Sequence, residues 1–270
     1  MKQKLSMEEC KKVQLSILSY VDEFCRNNRI NYYLCGGTLL GAIRHKGYIP
    51  WDDDIDVMLP RPDYEKLLRC FDGKGQYKLI SMYNQDDYYY PYAKIQDVTT
   101  ELIEKNADVH IKDYGINIDI FPIDGLPDTD FKIRNYYRRV MFKREIYYLS
   151  LNKNFRKSKS RIISFVKYLI WRYAKVVGWK KLLKRVVKIS LKYDYDKSFW
   201  VGAPIAGYGN REVFHKTIFA ETLRVPFENM QFNIPVGYDE YLTRLYDDYM
   251  ELPSEENRKT RHEFVAYKNV

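Results

Sequence analysis

The stretch IPWDDDIDVML, residues Ile49–Leu59, places four aspartates within five positions and continues directly into apolar residues. Neighbouring carboxylates repel one another, and moving an ionised carboxylate out of water is costly. The apolar residues that follow predict a buried strand, so the acidic side chains must lie at the edge of a sheet. The chain can fold in this way only if solvent or cations offset the charge there.

Alternation along the predicted strand Ile55–Leu59 separates its two faces. Asp54 and Asp56 project to the same side, about 6.5 to 7 Å apart, while the intervening apolar residues face the core. Two carboxylates so placed can bind one divalent ion, and Mg²⁺ or Mn²⁺ prefers oxygen ligands. Asp53 lies just before the strand, where a turn aims it either at the same cavity or into solvent. The alternative is that the acidic run is a solvated loop.

A glycine pair, Gly36-Gly37, joins the predicted strand Ile30–Leu34 to a short predicted helix, Thr38–Ile43. Glycine lets backbone N–H groups come close to a phosphate, and the first helical turn offers unpaired donors and a positive dipole end. Gly36, Gly37 and Thr38 are therefore predicted to bind the phosphates of a donor. A routine tight turn is the alternative, but the acidic strand that follows favours the phosphate site.

A third carboxylate, Asp119, lies on the alternating segment GINIDIF, residues 115–121, opposite its isoleucines. If this strand neighbours the D-x-D strand, Asp119 reaches the same rim, where it can bind a metal or take a proton from a hydroxyl. The alternative is a position on a solvated face. We expect Asp124, in the loop that follows, to cap or turn the chain.

The remaining patterns predict an α/β (α+β) fold with a small mixed sheet. Ser6 and Glu9 form a capping box before a predicted helix. No internal repeat or low-complexity linker interrupts the chain, which favours one compact unit. The further predicted elements are the helices Met7–Asn27, Arg61–Phe71 and Tyr238–Met250 and the strands Tyr77–Met82 and Ala93–Asp97.

The net charge of +9 is unevenly distributed, because residues 131–200 contain 21 Lys and Arg but only three acids. Such a field attracts nucleic acid, anionic lipid or phosphorylated polymers. The segment predicts two or three helices with a break at Gly178. An apolar stripe within it is either a core face or an interfacial surface that holds a lipid-linked acceptor at a membrane. No nucleic-acid motif accompanies the charges, so no nucleic acid is expected. The stripe consists of Ile163, Val166, Ile170, Tyr173 and Val177.

Four cysteines without C-x-x-C spacing suggest buried free thiols in a reducing compartment. The N-terminus is polar, with no apolar signal-peptide region. The most apolar stretch, Ile162–Val187, is interrupted by Lys and Arg and cannot span a bilayer as an uncharged helix of about 20 residues. A cytoplasmic protein is expected, peripheral at the inner face of the plasma membrane.

The segment GGTLLGAIRHKGYIPWDDDIDVMLPRPDYEKL, residues Gly36–Leu67, resembles the signature of the LicD family. The similarity continues through YPYAKI, through NIDIFPIDGLP and through a C-terminal portion that ends near Arg261-His262. It covers most of the chain. The LicD family sits in the nucleotidyltransferase superfamily and is related to fukutin-type transferases.

The resemblance implies a nucleotidyltransferase (polymerase-β-like) catalytic core over residues 1–130. A basic helical segment over residues 131–200 and a C-terminal part over residues 201–270 would pack on it. The Gly-Gly-Thr turn would hold the donor phosphates, and Asp54 and Asp56 would bind Mg²⁺ with Asp119 as the third acidic residue. Arg44 and Lys94 are further candidates for phosphate contact, although a solvent-facing role is an alternative for each.

Members of the family transfer a phospho-alcohol, typically phosphocholine from CDP-choline, to a sugar hydroxyl of a surface glycan such as teichoic acid or a lipopolysaccharide precursor. Relatives move ribitol phosphate, so the alcohol stays open. Trp51, Asp53 and His262 are candidate substrate contacts. One alternative is a nucleotidyltransferase that attaches a nucleoside monophosphate to a small molecule. Another is a non-catalytic module that binds glycan or membrane.

Overall fold

The computed structural model describes residues 2–104, 108–157, 160–258, 260 and 263–269. Within these residues the chain forms seven α-helices and twelve strands, so the predicted mixed α/β class is confirmed. The helices are α1 (Met7–Asn28), α2 (Gly36–Arg44), α3 (Arg61–Cys70), α4 (Asp130–Leu151), α5 (Arg161–Val177), α6 (Trp179–Ser190) and α7 (Tyr238–Tyr246). The strands are β1 (Lys2–Lys4), β2 (Tyr33–Leu34), β3 (Asp56–Pro60), β4 (Tyr77–Ile80), β5 (Ala93–Asp97), β6 (Thr100–Glu104), β7 (Asn117–Gly125), β8 (Trp200–Gly202), β9 (Val213–His215), β10 (Thr222–Phe227), β11 (Met230–Pro235) and β12 (Phe264–Asn269).

The central sheet has the strand order β2-β3-β7-β5-β4, and β7 is its middle strand. β3 pairs with β7 in parallel, whereas β5 pairs with β7 antiparallel. The far end of β7 pairs with β8, which in turn pairs with β9. Two smaller sheets, β1-β12-β6 and the hairpin β10-β11, lie beside it. This arrangement confirms that the D-x-D strand and the GINIDIF strand are neighbours.

Helix α1 ties the N-terminal region to the start of both acidic strands. Its capping box is present, with Ser6 Oγ accepting from the Glu9 N–H and the Glu9 carboxylate accepting from the Ser6 N–H. Buried Gln14 donates from Nε2 to the backbone carbonyls of Asp53, at 3.0 Å, and Asn117, at 3.4 Å. A single amide therefore holds the backbone of two separate segments in one place.

The structure extends the GINIDIF strand beyond Phe121 to Gly125, and this changes the position of one predicted residue. Asp124 was expected to cap or turn a loop, and that prediction is wrong. Its buried carboxylate forms a two-bond pair with Arg61 of α3, at 2.6 and 2.9 Å. Removal of one partner of such a buried pair leaves the other charge buried without compensation, which destabilises the fold.

The basic segment forms the three helices α4, α5 and α6, and Gly178 separates α5 from α6 as predicted. Helix α5 is unusual because Ala174 is its one buried residue. Large apolar side chains along α5 are exposed instead, such as Phe165 at 63%, Leu169 at 52% and Val176 at 81%. In the predicted apolar stripe, Ile163, Val166 and Tyr173 are exposed, and Ile170 and Val177 are half-buried. The stripe is therefore not a core face.

Three of the four cysteines are buried, as predicted, but Cys70 at the end of α3 is exposed. All four thiols are free. None of the helices in the described part of the chain has both the length and the apolar character needed to cross a bilayer.

The buried Arg61–Asp124 pair gives a stability prediction. Asp124→Asn should lower the free energy of unfolding by roughly 3–5 kcal/mol, because it leaves the Arg61 guanidinium buried without its carboxylate. Asp128→Asn, which removes the exposed pair with Lys132, should leave the urea midpoint almost unchanged. Urea denaturation of both variants measures the difference. If both variants unfolded at the same urea concentration, the buried pair would not stabilise the fold more than the exposed pair does.

Candidate active site

Three charged residues form a row across the centre of the sheet. In the strand register, Asp56 of β3 lies beside Asp119 of β7, and Asp119 lies beside Lys94 of β5. Neighbouring strands are about 4.8 Å apart, so directly paired side chains on one face are in reach of each other. The row therefore brings the predicted acidic groups of two strands to one rim.

Backbone hydrogen bonds fix Asp56 from two sides. Its N–H donates to Thr38 Oγ1 at 2.9 Å, and its carbonyl accepts from the Cys35 N–H at 3.1 Å. The Asp119 N–H donates to the carbonyl of Ile55 at 2.9 Å. The start of α2 and the start of β3 are thus one hydrogen-bonded unit, which fixes where the Asp56 carboxylate points.

The glycine pair lets two carboxylates pack closely against the start of α2. Gly36 has a φ of +53°, and a Cβ there would lie 3.3 Å from Asp56 Oδ2. A Cβ on Gly37 would lie 2.5 Å from Asp52 Oδ2, so any side chain there would displace the Asp52 carboxylate. Helix α2 begins at Gly36, two residues earlier than predicted, so both glycines form its first turn.

Two cavities meet at the acidic rim, and Asp54, Asp119 and Tyr92 line both. The lysine cavity is about 350 Å³ and is lined by Gln14, Asp53, Asp54, Tyr90, Tyr92, Lys94, Leu102, Glu104, Tyr114, Asn117, Asp119, Glu263 and Phe264. The glutamate cavity is about 210 Å³ and is lined by Cys35, Gly36, Asp54, Asp56, Met58, Tyr92, Asp119, Phe121, Ala206, Gly207, Tyr208, Glu212 and Tyr241. A wider depression of about 610 Å³ beside β6 contains none of the predicted site residues.

Lys94 is buried and its ammonium is already engaged by protein groups. It donates to Asp119 Oδ1 and to Asn117 Oδ1, the latter at 3.1 Å. Its Nζ also lies 4.5 Å from the centre of the Tyr90 ring. Burial lowers the pKa of Lys94, but the charges of Asp119, Tyr90 and Glu104 and the hydrogen bond to Asp119 together outweigh it, so the net shift is upward. The lysine cavity therefore carries a fixed positive charge next to Asp119.

Negative charge accumulates at the shared rim. The ligand oxygens of Asp52, Asp53 and Asp54 all lie within 4.8 Å of one another. Burial, and then the charges of Asp54, Asp119 and Asp52, raise the pKa of Asp56 well above its usual range. An oxygen-only donor set whose members repel one another suits a hard divalent cation, which would remove that repulsion.

The structure brings some predicted residues into this site and places others elsewhere. Gly36, Asp53, Asp54, Asp56, Lys94 and Asp119 line one or both cavities. The Thr38 hydroxyl instead accepts from the Asp56 backbone, and Gly37 packs under Asp52. Neither residue is among those that line the cavities.

Two further candidates lie away from the rim. Arg44 Nη1 donates to the carbonyls of Tyr249, at 2.8 Å, and Glu251, at 3.0 Å, so it anchors the chain after α7 rather than facing either cavity. Trp51 packs against His45, with Arg258 over its ring at 5.6 Å. His262 lies outside the described residues.

The sequence patterns did not indicate Glu212, the most buried acid of the glutamate cavity. It is 2% exposed, and its Oε2 accepts from the Tyr208 N–H at 3.3 Å. Burial raises the pKa of Glu212 to about 8, against the opposing effects of this bond and of the Arg144 charge. The available signal was an acidic residue between the glycine-containing loop 203–209 and a short apolar strand. This pattern does not show which part of the chain the acidic side chain packs against.

Comparison with known proteins identifies the relatives of this chain. The profile of the family described as "LicD/FKTN/FKRP, nucleotidyltransferase domain" matches residues 29–157. The lipopolysaccharide cholinephosphotransferase LicD of Haemophilus influenzae is 31% identical over 273 aligned positions, which cover 98% of each chain. A protein of Rickettsia prowazekii named only as uncharacterized is 38% identical over 83 residues, or 26% of this chain and 31% of its own.

The fold defines the class, a mixed α/β protein, and the matched profile lies within its first 157 residues. Because the Haemophilus relative aligns over almost the full length, the chain belongs to the LicD family of phosphotransferases.

The raised pKa of Asp56 gives a prediction about stability. A carboxyl with a higher pKa in the folded than in the unfolded state destabilises the fold when ionised, and this cost disappears as the pH falls. Asp56→Asn should therefore increase the free energy of unfolding near neutral pH in metal-free buffer, and the gain should shrink at lower pH. Urea denaturation over a pH series tests this.

The exposed residue Asp248 provides the control for this series. Asp248→Asn should change the free energy of unfolding by less than about 0.5 kcal/mol at any pH. A less stable Asp56→Asn protein at neutral pH would contradict the electrostatic account of the rim.

Proposed function

We propose that this protein transfers a phospho-alcohol, most simply phosphocholine from CDP-choline, to a sugar hydroxyl of a surface glycan. The observation that carries the proposal is the register of Asp56 with Asp119 at a rim shared by two cavities. The relative from Haemophilus is named as a lipopolysaccharide cholinephosphotransferase, which supports the choice of alcohol and acceptor class. A polymerase-β-like form of the core belongs to the same proposal.

In the proposed reaction the acceptor hydroxyl oxygen forms a bond to the phosphorus that carries the alcohol. The bond from that phosphorus to the bridging anhydride oxygen breaks, and CMP leaves. Asp119 takes the proton of the acceptor hydroxyl. The Lys94 ammonium at Asp119 Oδ1 orients this carboxylate, whose second oxygen can receive the proton.

Asp54 and Asp56, which line the glutamate cavity, would hold Mg²⁺ or Mn²⁺, and the carboxylate oxygens of Asp52 and Asp53 lie within 4.8 Å of that of Asp54. Asp119 adjoins this donor set and acts as the base. A bound divalent ion supplies positive charge to the transferring phosphoryl oxygens and positions donor and acceptor. The first turn of α2 contributes a positive dipole end on the same side, through Gly36 in the glutamate cavity. Catalysis in such a site consists mainly of positioning and electrostatic stabilisation.

Turnover by purified protein tests the reaction class. With Mg²⁺, CDP-choline and a glycan acceptor, ³¹P NMR should show release of CMP and a new phosphodiester. Asp119→Asn should lower kcat by about 10²–10⁴-fold, because it removes the proposed base. Asp113→Asn, at an exposed position in the turn before β7, should leave kcat within about twofold. A thermal unfolding curve for each variant verifies folding.

The same experiment distinguishes the alternatives. Release of pyrophosphate from a nucleoside triphosphate would favour a nucleotidyltransferase. The absence of turnover with every activated alcohol, with intact glycan binding by wild type and Asp119→Asn alike, would favour a binding module and overturn the transferase.

We further propose that α5 binds the anionic inner face of the plasma membrane and so brings the enzyme to a lipid-linked acceptor. Exposed apolar side chains on α5 stand among Arg161, Lys167 and Arg172, and α5 contains no acidic residue. A helix that combines exposed apolar residues with cations is typical of interfacial binding, where each basic residue adds about 1 kcal/mol near an anionic surface.

Vesicle flotation tests this surface. Wild type should float with vesicles of phosphatidylglycerol and phosphatidylcholine, and less so as salt rises. A Phe165→Glu/Leu169→Glu variant should lose most of this binding. Tyr83→Glu, at a similarly exposed tyrosine outside the basic segment, should retain it. If the α5 variant floats as wild type does, or instead loses a dimer in light scattering, the membrane proposal fails.

A further inference from the structure

The two cavities at the acidic rim differ in charge. The described residues that line the glutamate cavity include aromatic rings and Glu212 but no lysine, arginine or histidine. The lysine cavity contains the buried ammonium of Lys94. A ligand that carries both a cation and phosphates would therefore encounter distinct environments on the two sides of Asp54 and Asp119.

We infer that the glutamate cavity binds the quaternary ammonium head of the transferred alcohol. The inference rests on the proposed function and adds the location and the chemical basis of alcohol selection. Phe121, Tyr208 and Tyr241 supply its aromatic lining, and Tyr92 is shared with the lysine cavity. A quaternary ammonium has no N–H to donate, so it is bound by ring faces and by an opposite charge rather than by hydrogen bonds.

Glu212 supplies the acidic group. Burial raises its pKa to about 8, so the cavity by itself favours the protonated carboxyl, and a cation bound beside it would favour the ionised form. Its side chain is almost fully buried, and its carboxylate accepts one backbone N–H, from Tyr208. The charge of Arg144 acts on it, but the Arg144 guanidinium donates to the carbonyls of Pro204 and Ala206. A cation placed beside a buried carboxylate offsets the cost of ionising it away from water.

The aromatic lining is held in position by its own contacts. Tyr208 and Tyr246 share a hydrogen bond between their hydroxyls at 2.6 Å. The Tyr241 ring stacks on Phe214, with ring centres 4.9 Å apart, and the Tyr241 hydroxyl accepts from the Gly36 N–H at 3.3 Å. A preformed lining loses less conformational entropy when it binds a ligand.

The lysine cavity is unsuited to the same head group although it also contains tyrosines. Lys94 Nζ lies 4.5, 5.7 and 6.0 Å from the ring centres of Tyr90, Tyr92 and Tyr114. The protein's own ammonium therefore uses these rings and would repel a second cation. In choline only two carbons separate the ammonium from the phosphate oxygen, so the head group must lie next to the reacting phosphorus. The glutamate cavity meets that condition, because Asp54, Asp56 and Asp119 line it as well.

A neutral isostere of the donor tests the inference. CDP-choline and CDP-3,3-dimethylbutanol differ in that carbon replaces the charged nitrogen. Isothermal titration calorimetry with Mg²⁺ should show wild type binding CDP-choline about tenfold more tightly than the isostere. Glu212→Gln should remove most of this preference by weakening CDP-choline, and leave the affinity for the isostere within about twofold.

Glu104→Gln is the matched control in the lysine cavity, where Glu104 accepts from the hydroxyls of Tyr89 and Tyr90. It should keep the charge preference. Tyr208→Leu, which removes a ring but no charge, should also reduce the preference for CDP-choline. This variant provides a second test if Glu212→Gln does not fold.

The possible results separate this inference from the proposed function. Equal binding of both donors by wild type, or equal weakening of both by Glu212→Gln, would overturn the inference even if phosphocholine is transferred. A charge preference that depends on Glu212, without any turnover, would support the cavity assignment and overturn the transferase.

Discussion

The parallel pairing of β3 with β7 is the constraint on which the site depends. It sets Asp56 beside Asp119 on one face of the sheet, where two carboxylates at the separation of neighbouring strands repel each other. The surrounding structure is organised around this repulsion. Lys94, the next residue across the sheet, offsets it at Asp119, and the Thr38 hydroxyl fixes the backbone of Asp56. What remains uncompensated at Asp56 is a natural place for a cation.

The same charge row explains why the site divides into two unlike cavities. Lys94 places a positive charge on the side that faces Tyr90 and Tyr114, whereas the described lining on the side that faces Tyr208 contains the acid Glu212 and no basic residue. A donor with an anionic diphosphate and a cationic alcohol is matched by such a gradient better than by a uniformly acidic cleft. Charge complementarity of this kind selects among alcohols that have similar shapes.

The sequence predicted those parts of the site that follow from strand periodicity. Alternation along GINIDIF placed Asp119 opposite its isoleucines, and a D-x-D pair before an apolar run gave Asp54 and Asp56. Thr38 and Arg44 were harder, because a hydroxyl or a guanidinium near a phosphate motif can equally bond to backbone, and packing decides which. Glu212 was not predictable, since it reaches the rim through β9 and β8, and the sequence alone does not reveal this pairing.

The hydrogen bonds of Gln14 make the position of α1 important for the geometry of the acidic strands. Because Gln14 holds the carbonyls of Asp53 and Asn117 together, α1 is part of the scaffold of the candidate active site. A tag, fusion or truncation that shifts this helix along its axis would change the spacing of the acidic strands. Loss of activity in such a protein would then reflect a displaced support rather than a missing catalytic side chain.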